Sequence, residues 1–262
     1  MAEGFTISLP INGTNIKRIS VGNSQHQGMR PYQEDSFGFS SIQQSDIDKY
    51  GFVAIVSDGM GGSSCGDKVS KYAVSCTQNI FNSVSTEAVH ARFIRALNSI
   101  NAASAQNYPG GGATLSAVYC KPQGVYWCST GDSRIYLHRN GRLYQLSCDF
   151  DYADTLLDKV IDGKLTFAEA DTDPQKDSLS EYIGSGEMLH PDVNIKPFIP
   201  DESDNLLICS DGVYNALTED ELLLQLEKNA LSCADGILNA VLNKGYTNQD
   251  NFTAIILEFN GE

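Results

Sequence analysis

Strand-like apolar runs arrive in blocks along this chain instead of alternating with helices, so a doubly wound parallel sheet is excluded. The runs at residues 52–57, 114–120, 125–129, 206–209 and 252–259 are mostly rich in Val, Ile or aromatic residues and end in polar punctuation. Residues 134–139 and 142–147 flank Asn140-Gly141, a dipeptide that supplies the positive φ angles of a two-residue turn and predicts an antiparallel hairpin. Val69, Tyr72, Ala73, Cys76 and Ile80 recur at helical spacing, as do Val89, Phe93, Leu97 and Ile100, predicting two consecutive helices. Thr218-Glu219-Asp220-Glu221 reads as a capping box opening a third helix, and a fourth is expected over about 234–243. The order predicts an α+β chain of antiparallel sheets with helices packed outside them. One domain over residues 1–262 is expected, with a polar excursion at about 148–200 that borders a site.

Carboxylates stand where these runs meet tight turns. Val56-Ser57-Asp58-Gly59, Ser129-Thr130-Gly131-Asp132 and Cys209-Ser210-Asp211-Gly212 each place an Asp at a strand end. Asp250-Asn251 precedes the last run, and Glu34-Asp35 precedes a predicted strand at 36–40. Asp-Gly and Asp-Asn are good turn dipeptides in their own right, so any one of these could be only a turn. As an ordered series they could converge on one point, where like charges would repel unless a cation neutralised them. Carboxylate, carbonyl and water ligands suit Mg²⁺ or Mn²⁺, whereas zinc asks for His or Cys, and the four histidines show no paired ligand spacing.

Several other chemistries fail on the residues. Lys plus Arg is 18 against 33 Asp plus Glu, a formal charge of −15, and no basic cluster exists to hold a nucleic-acid backbone. Seven scattered cysteines without Cys-x-x-Cys suggest neither a disulfide framework nor a zinc ribbon. They are expected as core thiols in a reducing compartment, with Cys65 and Cys209 placed beside candidate site residues. The segment 61–68 resembles a phosphate loop, but Asp67 separates Gly66 from Lys68 and Val69 follows in place of Ser or Thr. Asp171-Thr172-Asp173 lacks the Gly and Glu of an EF-hand, with Lys176 and Tyr182 at those positions. No signal peptide or membrane-length apolar run is present, so a soluble, cytoplasmic protein with no membrane partner is expected, as a monomer.

With these residues in view, the series resembles the metal-dependent protein phosphatases of the protein phosphatase 2C type. Arg30-Pro31-Tyr32-Gln33-Glu34-Asp35, Asp58-Gly59-Met60-Gly61-Gly62, Gly112-Ala113-Thr114, Gly131-Asp132-Ser133-Arg134, Ser210-Asp211-Gly212-Val213 and Asp250-Asn251-Phe252-Thr253 are similar to the family's motifs and stand in the family's order. The resemblance implies a four-layer α/β/β/α sandwich, two central antiparallel sheets flanked by helix pairs. It also implies two core Mn²⁺ or Mg²⁺ ions. Asp58 would bridge them, Glu34 and the Gly59 carbonyl would serve one, and Asp211 and Asp250 the other. Asp132 would help to hold a third, weaker ion. Asp35, Thr114 and Asn251 would support these ligands by hydrogen bonding. A water shared by the cations would attack phosphorus in line, while Arg30 holds the phosphate oxygens with its planar fork.

Three departures stand out. Met60 occupies a place where many eukaryotic members carry a His proposed as general acid. Glu181, in Ser178-Leu179-Ser180-Glu181-Tyr182-Ile183-Gly184, replaces a basic residue, and Asp149-Phe150 stands where Asp-His or Asp-Asn is usual. The implied function is hydrolysis of phosphoserine and phosphothreonine in proteins, the substrates being those of a cognate kinase. Two readings compete: a non-catalytic phosphoprotein-binding module of the same fold, and a hydrolase of small phosphate esters.

Overall fold

The computed structural model describes residues 2–60, 65–176 and 178–261. Gly61 and Gly62 of the second motif, with Ser63 and Ser64, lie outside the described residues. The elements in chain order are β1 (Glu3–Ser8), β2 (Arg18–His26), β3 (Ser36–Phe39), α1 (Gln44–Tyr50), β4 (Phe52–Ser57), α2 (Gly66–Phe81), α3 (Val89–Asn107), β5 (Leu115–Lys121), β6 (Gly124–Thr130), β7 (Arg134–Arg139) and β8 (Arg142–Gln145). They continue with α4 (Tyr152–Ile161), α5 (Phe167–Asp171), β9 (Asp192–Val193), β10 (Asn205–Cys209), α6 (Asp211–Tyr214), α7 (Glu219–Leu226), α8 (Ala230–Asn243) and β11 (Phe252–Asn260).

Two sheets face each other, with strand orders β1-β2-β11-β10-β7-β8 and β3-β4-β5-β6-β9, and every pairing is antiparallel. Strand periodicity explains how one chain fills three cores. Every residue of β4 is buried, and alternate side chains serve opposite faces. Phe52, Ala54 and Val56 enter the core between the sheets, while Val53 and Ile55 enter the core under α2 and α3. In β11, Ile255, Leu257 and Phe259 join the inter-sheet core, and Phe252, Ala254 and Ile256 pack under α7 and α8. The architecture is therefore the four-layer α/β/β/α sandwich that the motifs imply.

The predicted hairpin is β7–β8, with Arg139 opposite Arg142 and with Asn140 and Gly141 at φ 52° and 69°. Thr218 opens α7 through the capping box, accepting from Glu221 N while Glu221 returns its carboxylate to Thr218 N. The fourth predicted helix starts earlier than expected, at Ala230, because Asn229 caps it by accepting from Ser232 N. Strands β1 and β2 are not legible from periodicity. The second half of β2 is polar, with Asn23, Ser24 and Gln25 in sequence, and β1 is a largely exposed edge strand. Gly22 in β2 has a packing reason, since a Cβ there would lie 2.1 Å from the Ala230 carbonyl oxygen of the helix laid across it.

Of the thiols, Cys120, Cys128, Cys209 and Cys233 are buried as expected, Cys65 and Cys76 are half-buried, and Cys148 is exposed at the start of the excursion. Burial pushes the Cys209 thiol well above its usual range, so its place beside Asp211 does not make it a reactive thiolate. No helix among the described residues is long and apolar enough to cross a membrane.

Candidate active site

Four strand ends deliver carboxylates to one cavity. Asp58 follows β4, Asp132 lies in the tight connection between β6 and β7, Asp211 begins α6 straight after β10, and Asp250 precedes β11. These four line a cavity of about 370 Å³ together with Gly59, Met60, Thr114 and, from the excursion, Ser178, Leu179 and Tyr182. Arg30 stands at its edge, donating from an Nη to Asp250 Oδ2 at 2.5 Å.

Asp58 is fixed by main-chain geometry. Its N–H donates to Thr114 Oγ1 at 2.9 Å and its carbonyl accepts from Thr114 N at 2.8 Å. The Thr114 hydroxyl is in turn 2.6 Å from Ser133 Oγ, and Ser57 Oγ donates to the Thr114 carbonyl. The next residues pair likewise, with Met60 N donating to Gly112 O and Gly59 bridged to Ala113. Thr114 thus holds the main chain of Asp58 from both sides.

Asn251 ties the first and last motifs together. Its Oδ1 accepts from Glu34 N at 2.7 Å, while its Nδ2 donates to Gln27 O and Tyr32 O at 2.6 and 3.0 Å. Asp35 lies beneath the cavity, almost wholly buried. Its Oδ2 accepts from Ser210 Oγ and Thr253 Oγ1 at 2.8 and 2.7 Å, whereas its Oδ1 is buried without a hydrogen-bond partner. Glu34 is more open; burial raises its pKa, Arg30 lowers it, and Asp67 and Asp250 raise it. Ser210, Thr253 and Ser133 are supporting residues that the sequence did not single out, although each sits inside or beside a motif. Tyr182, Leu179 and Asn215 were missed as well.

Electrostatically the cluster is under tension. Burial, followed by the charges of Asp35, Asp211 and Asp132, raises the Asp58 carboxyl well above the ordinary range. Burial likewise pushes Asp35, Asp132 and Asp211 up to about 6, with Asp250 the next cause for Asp211 and Asp211 the next for Asp132. Hard divalent cations relieve this kind of repulsion, and an all-oxygen donor set fits Mg²⁺ or Mn²⁺. Among the described residues no group of three or more His, Cys, Asp or Glu side chains stands close enough together to hold a metal ion as it is. The carboxylates instead face protein donors: Asp250 to Arg30, Asp211 to Asn215 and Asp35 to Ser210 and Thr253.

The two other departures resolve differently. Glu181 does not line the cavity; it accepts from His190 N at 2.7 Å, with His190 Nδ1 3.5 Å from its other oxygen, and its neighbour Tyr182 lines the cavity instead. Asp149 receives the Arg134 fork, Nε and Nη at 3.0 and 2.7 Å to Oδ2, while the guanidinium lies 3.7 Å over the Tyr214 ring. Tyr214 OH donates to Asp132 O, so this ion pair braces the Asp132 turn.

The chain is 29% identical over 218 residues to the serine/threonine phosphatase stp of Listeria welshimeri, covering 79% of this chain and 84% of that one. It is 28% identical over 211 residues to the serine/threonine protein phosphatase PstP of Mycobacterium tuberculosis, covering 78% of this chain and 39% of that longer protein. The solved serine/threonine phosphatase of S. agalactiae superposes with a TM-score of 0.78 at 23% identity, over 92% of this chain and 100% of its own. The PstP catalytic domain in complex with two manganese ions superposes with a TM-score of 0.71 at 23% identity, over 92% of this chain and 98% of its own. The strand-end carboxylates fall within, or in the case of Asp250 just beyond, the stretch 24–244 matched by the family model described as protein phosphatase 2C, and the chain belongs to that family.

Proposed function

We propose that this protein hydrolyses phosphoserine and phosphothreonine in protein substrates of a cognate kinase, in the cytoplasm, with Mn²⁺ or Mg²⁺ held by Glu34, Asp58, the Gly59 carbonyl, Asp211 and Asp250, and a third ion aided by Asp132. The observation that carries this reading is the meeting of four strand-end carboxylates in one cavity with a guanidinium at its edge. We take the chain to act as one phosphatase domain, with 148–200 as its flap.

When bound, the cations would supply Lewis acidity, making water nucleophilic near neutral pH and offsetting charge on the entering and leaving oxygens. The protein's own part is positioning. The main chain of Asp58 is locked by Thr114, which fixes where its carboxylate is rooted in the cavity. Arg30 is half-exposed and bound only at its tip to Asp250; it can turn its fork to two phosphate oxygens and leave Asp250 free for a cation. Asn251 keeps the Arg30 loop at a fixed distance from Asp250 through Gln27, Tyr32 and Glu34. Water attacks phosphorus, the phosphoester P–O bond breaks, and the leaving alkoxide takes a proton from solvent, since Met60 at the cavity wall has none to give. The products are the free hydroxyl side chain and inorganic phosphate.

The test is phosphate release from a phosphothreonine peptide with Mn²⁺, with Mg²⁺ and with chelator. Release should need a divalent cation. Arg30→Ala should raise KM about 10- to 100-fold, the loss of a charge-assisted hydrogen-bond pair, with a smaller effect on kcat. Metal-independent binding of the phosphopeptide without any release would instead favour the regulatory module, and turnover of a sugar phosphate in preference to the peptide would favour a small-ester hydrolase.

A further inference from the structure

Beside the carboxylate cavity lies a second one, of about 410 Å³, that shares Asp211 and Asp250 with it and has Arg30 in its wall. The rest of its wall includes Asn215, Tyr246, Asn248 and Gln249. The phosphatase reading gives these residues no task, yet a peptide whose phosphate sits on Arg30 must pass its neighbouring residues over this opening.

The hydrogen bonding of the wall sets what it can receive. Asn215 Nδ2 donates to Asp211 Oδ2 at 3.2 Å. Gln249, itself buried, donates Nε2 to Gly212 O and Asp250 O at 3.0 and 3.2 Å. Gln249 therefore spends both N–H groups on the protein and Asn215 one of its two, and the two carboxamide oxygens remain as acceptors. Tyr246 adds an aromatic ring that is 47% exposed. Cationic neighbours do not oppose a second cation, because Lys244 is paired with Glu221 at 2.6 Å and Arg30, once its fork turns to the phosphate, has its charge offset by the phosphate oxygens. Carboxamide oxygens and an aromatic face together match a donor-rich cation and not an anion or an apolar side chain. The net charge of −15 attracts such a ligand at longer range.

Resting on the phosphatase reading, we propose that this cavity is a substrate subsite that takes a Lys or Arg side chain next to the phosphorylated residue. The site thus selects phosphoproteins with basic flanks. Tyr246 stacks on the cation, and Asn215 Oδ1 and Gln249 Oε1 accept its hydrogen bonds.

The experiment compares, with Mn²⁺ present, three phosphothreonine peptides that differ only in carrying Arg, Ala or Glu on either side of the phosphoresidue, together with p-nitrophenyl phosphate. The Arg peptide should exceed the Ala peptide by about tenfold in kcat/KM, through KM, and the Glu peptide should be poorest. Tyr246→Ala should bring the Arg-to-Ala ratio close to one. Asn248→Lys, a change at an exposed loop position, should reverse the order of the Arg and Glu peptides. Equal turnover of all three peptides by the wild-type protein would overturn the subsite and leave the phosphatase reading intact. Loss of turnover on every substrate, p-nitrophenyl phosphate included, would overturn both.

Discussion

Asp58→Asn is expected to reduce phosphate release about a thousandfold while leaving the protein folded and, without metal, more stable than the wild type. The main chain at position 58 is held on both sides by Thr114, so an Asn side chain of the same shape fits without moving the loop. What changes is charge. The wild-type carboxyl is raised well above its ordinary range by burial and by Asp35, Asp211 and Asp132, so removing its charge relieves those neighbours as well as itself. The same substitution removes the anionic oxygen best placed, at the centre of the cluster, to serve two cations. Turnover, metal titration and thermal denaturation read the three consequences separately. Lost turnover with weakened metal binding and a Tm raised by a few degrees is the expected pattern. Near-normal turnover would remove Asp58 from the chemistry, and lost turnover with a lowered Tm would indicate a packing defect.

The parts of the fold that were legible in the sequence are those where local chemistry and tertiary role agree. Asn140-Gly141 forms the hairpin because its backbone angles are what a two-residue turn needs, and Thr218 and Glu221 cap α7 because the box satisfies its own donors. Strands β4, β10 and β11 are mostly apolar because each is covered on both faces, which makes them plain to see. Where the environment is mixed, the signal fades. The polar half of β2 holds Gln25, whose amide donates to Asp35 O and Thr253 Oγ1, so its residues serve hydrogen bonding near the site more than burial. Helices α4 and α5 of the excursion bury little besides Leu156, and the sequence showed only short helical pieces there.

Site residues followed the same rule. Asp58, Asp132, Asp211 and Asp250 could be named because each sits at the junction of an apolar run and a turn, and the fold brings those junctions to one cavity. Tyr182 escaped because nothing local marks it. It reaches the cavity through an antiparallel bridge between Ile183 and Ala113, a pairing across seventy residues that carries no periodic signal. Glu181 drew attention as a charge change, but its neighbour His190 holds it away from the cavity wall. The resemblance to a family thus supplied what spacing could not, namely which of several acidic turns share one site.

Removing metal should make stability depend steeply on pH, in the direction opposite to ordinary acid denaturation. Asp35, Asp132 and Asp211 are each pushed up to about 6 from 3.8, and Asp58 is raised as well. A carboxyl whose folded pKa lies above its unfolded value favours the folded state while protonated. Its contribution is complete below the unfolded value and is lost as pH rises through about 6. One such group shifted by about two units corresponds to about 3 kcal/mol. The four groups repel one another, so protonating one relieves the rest and the total falls short of four such contributions. With chelator present, Tm should therefore fall as pH is raised from about 5 to about 7.5. A divalent cation binds only the folded, ionised cluster, and at about a hundred times its Kd it restores about 2.7 kcal/mol. The gain in Tm on adding Mn²⁺ should accordingly be larger at about pH 7.5 than at about pH 5, where protons compete for the same oxygens. Asp58→Asn separates this site from the general repulsion of an acidic protein, since the variant should show a shallower pH dependence, losing the share of Asp58 and keeping that of Asp35, Asp132 and Asp211, while its net charge changes by only one unit. An equal Mn²⁺ gain at both pH values, or an undiminished pH slope in the variant, would mean that the buried carboxylates are not where the cation binds.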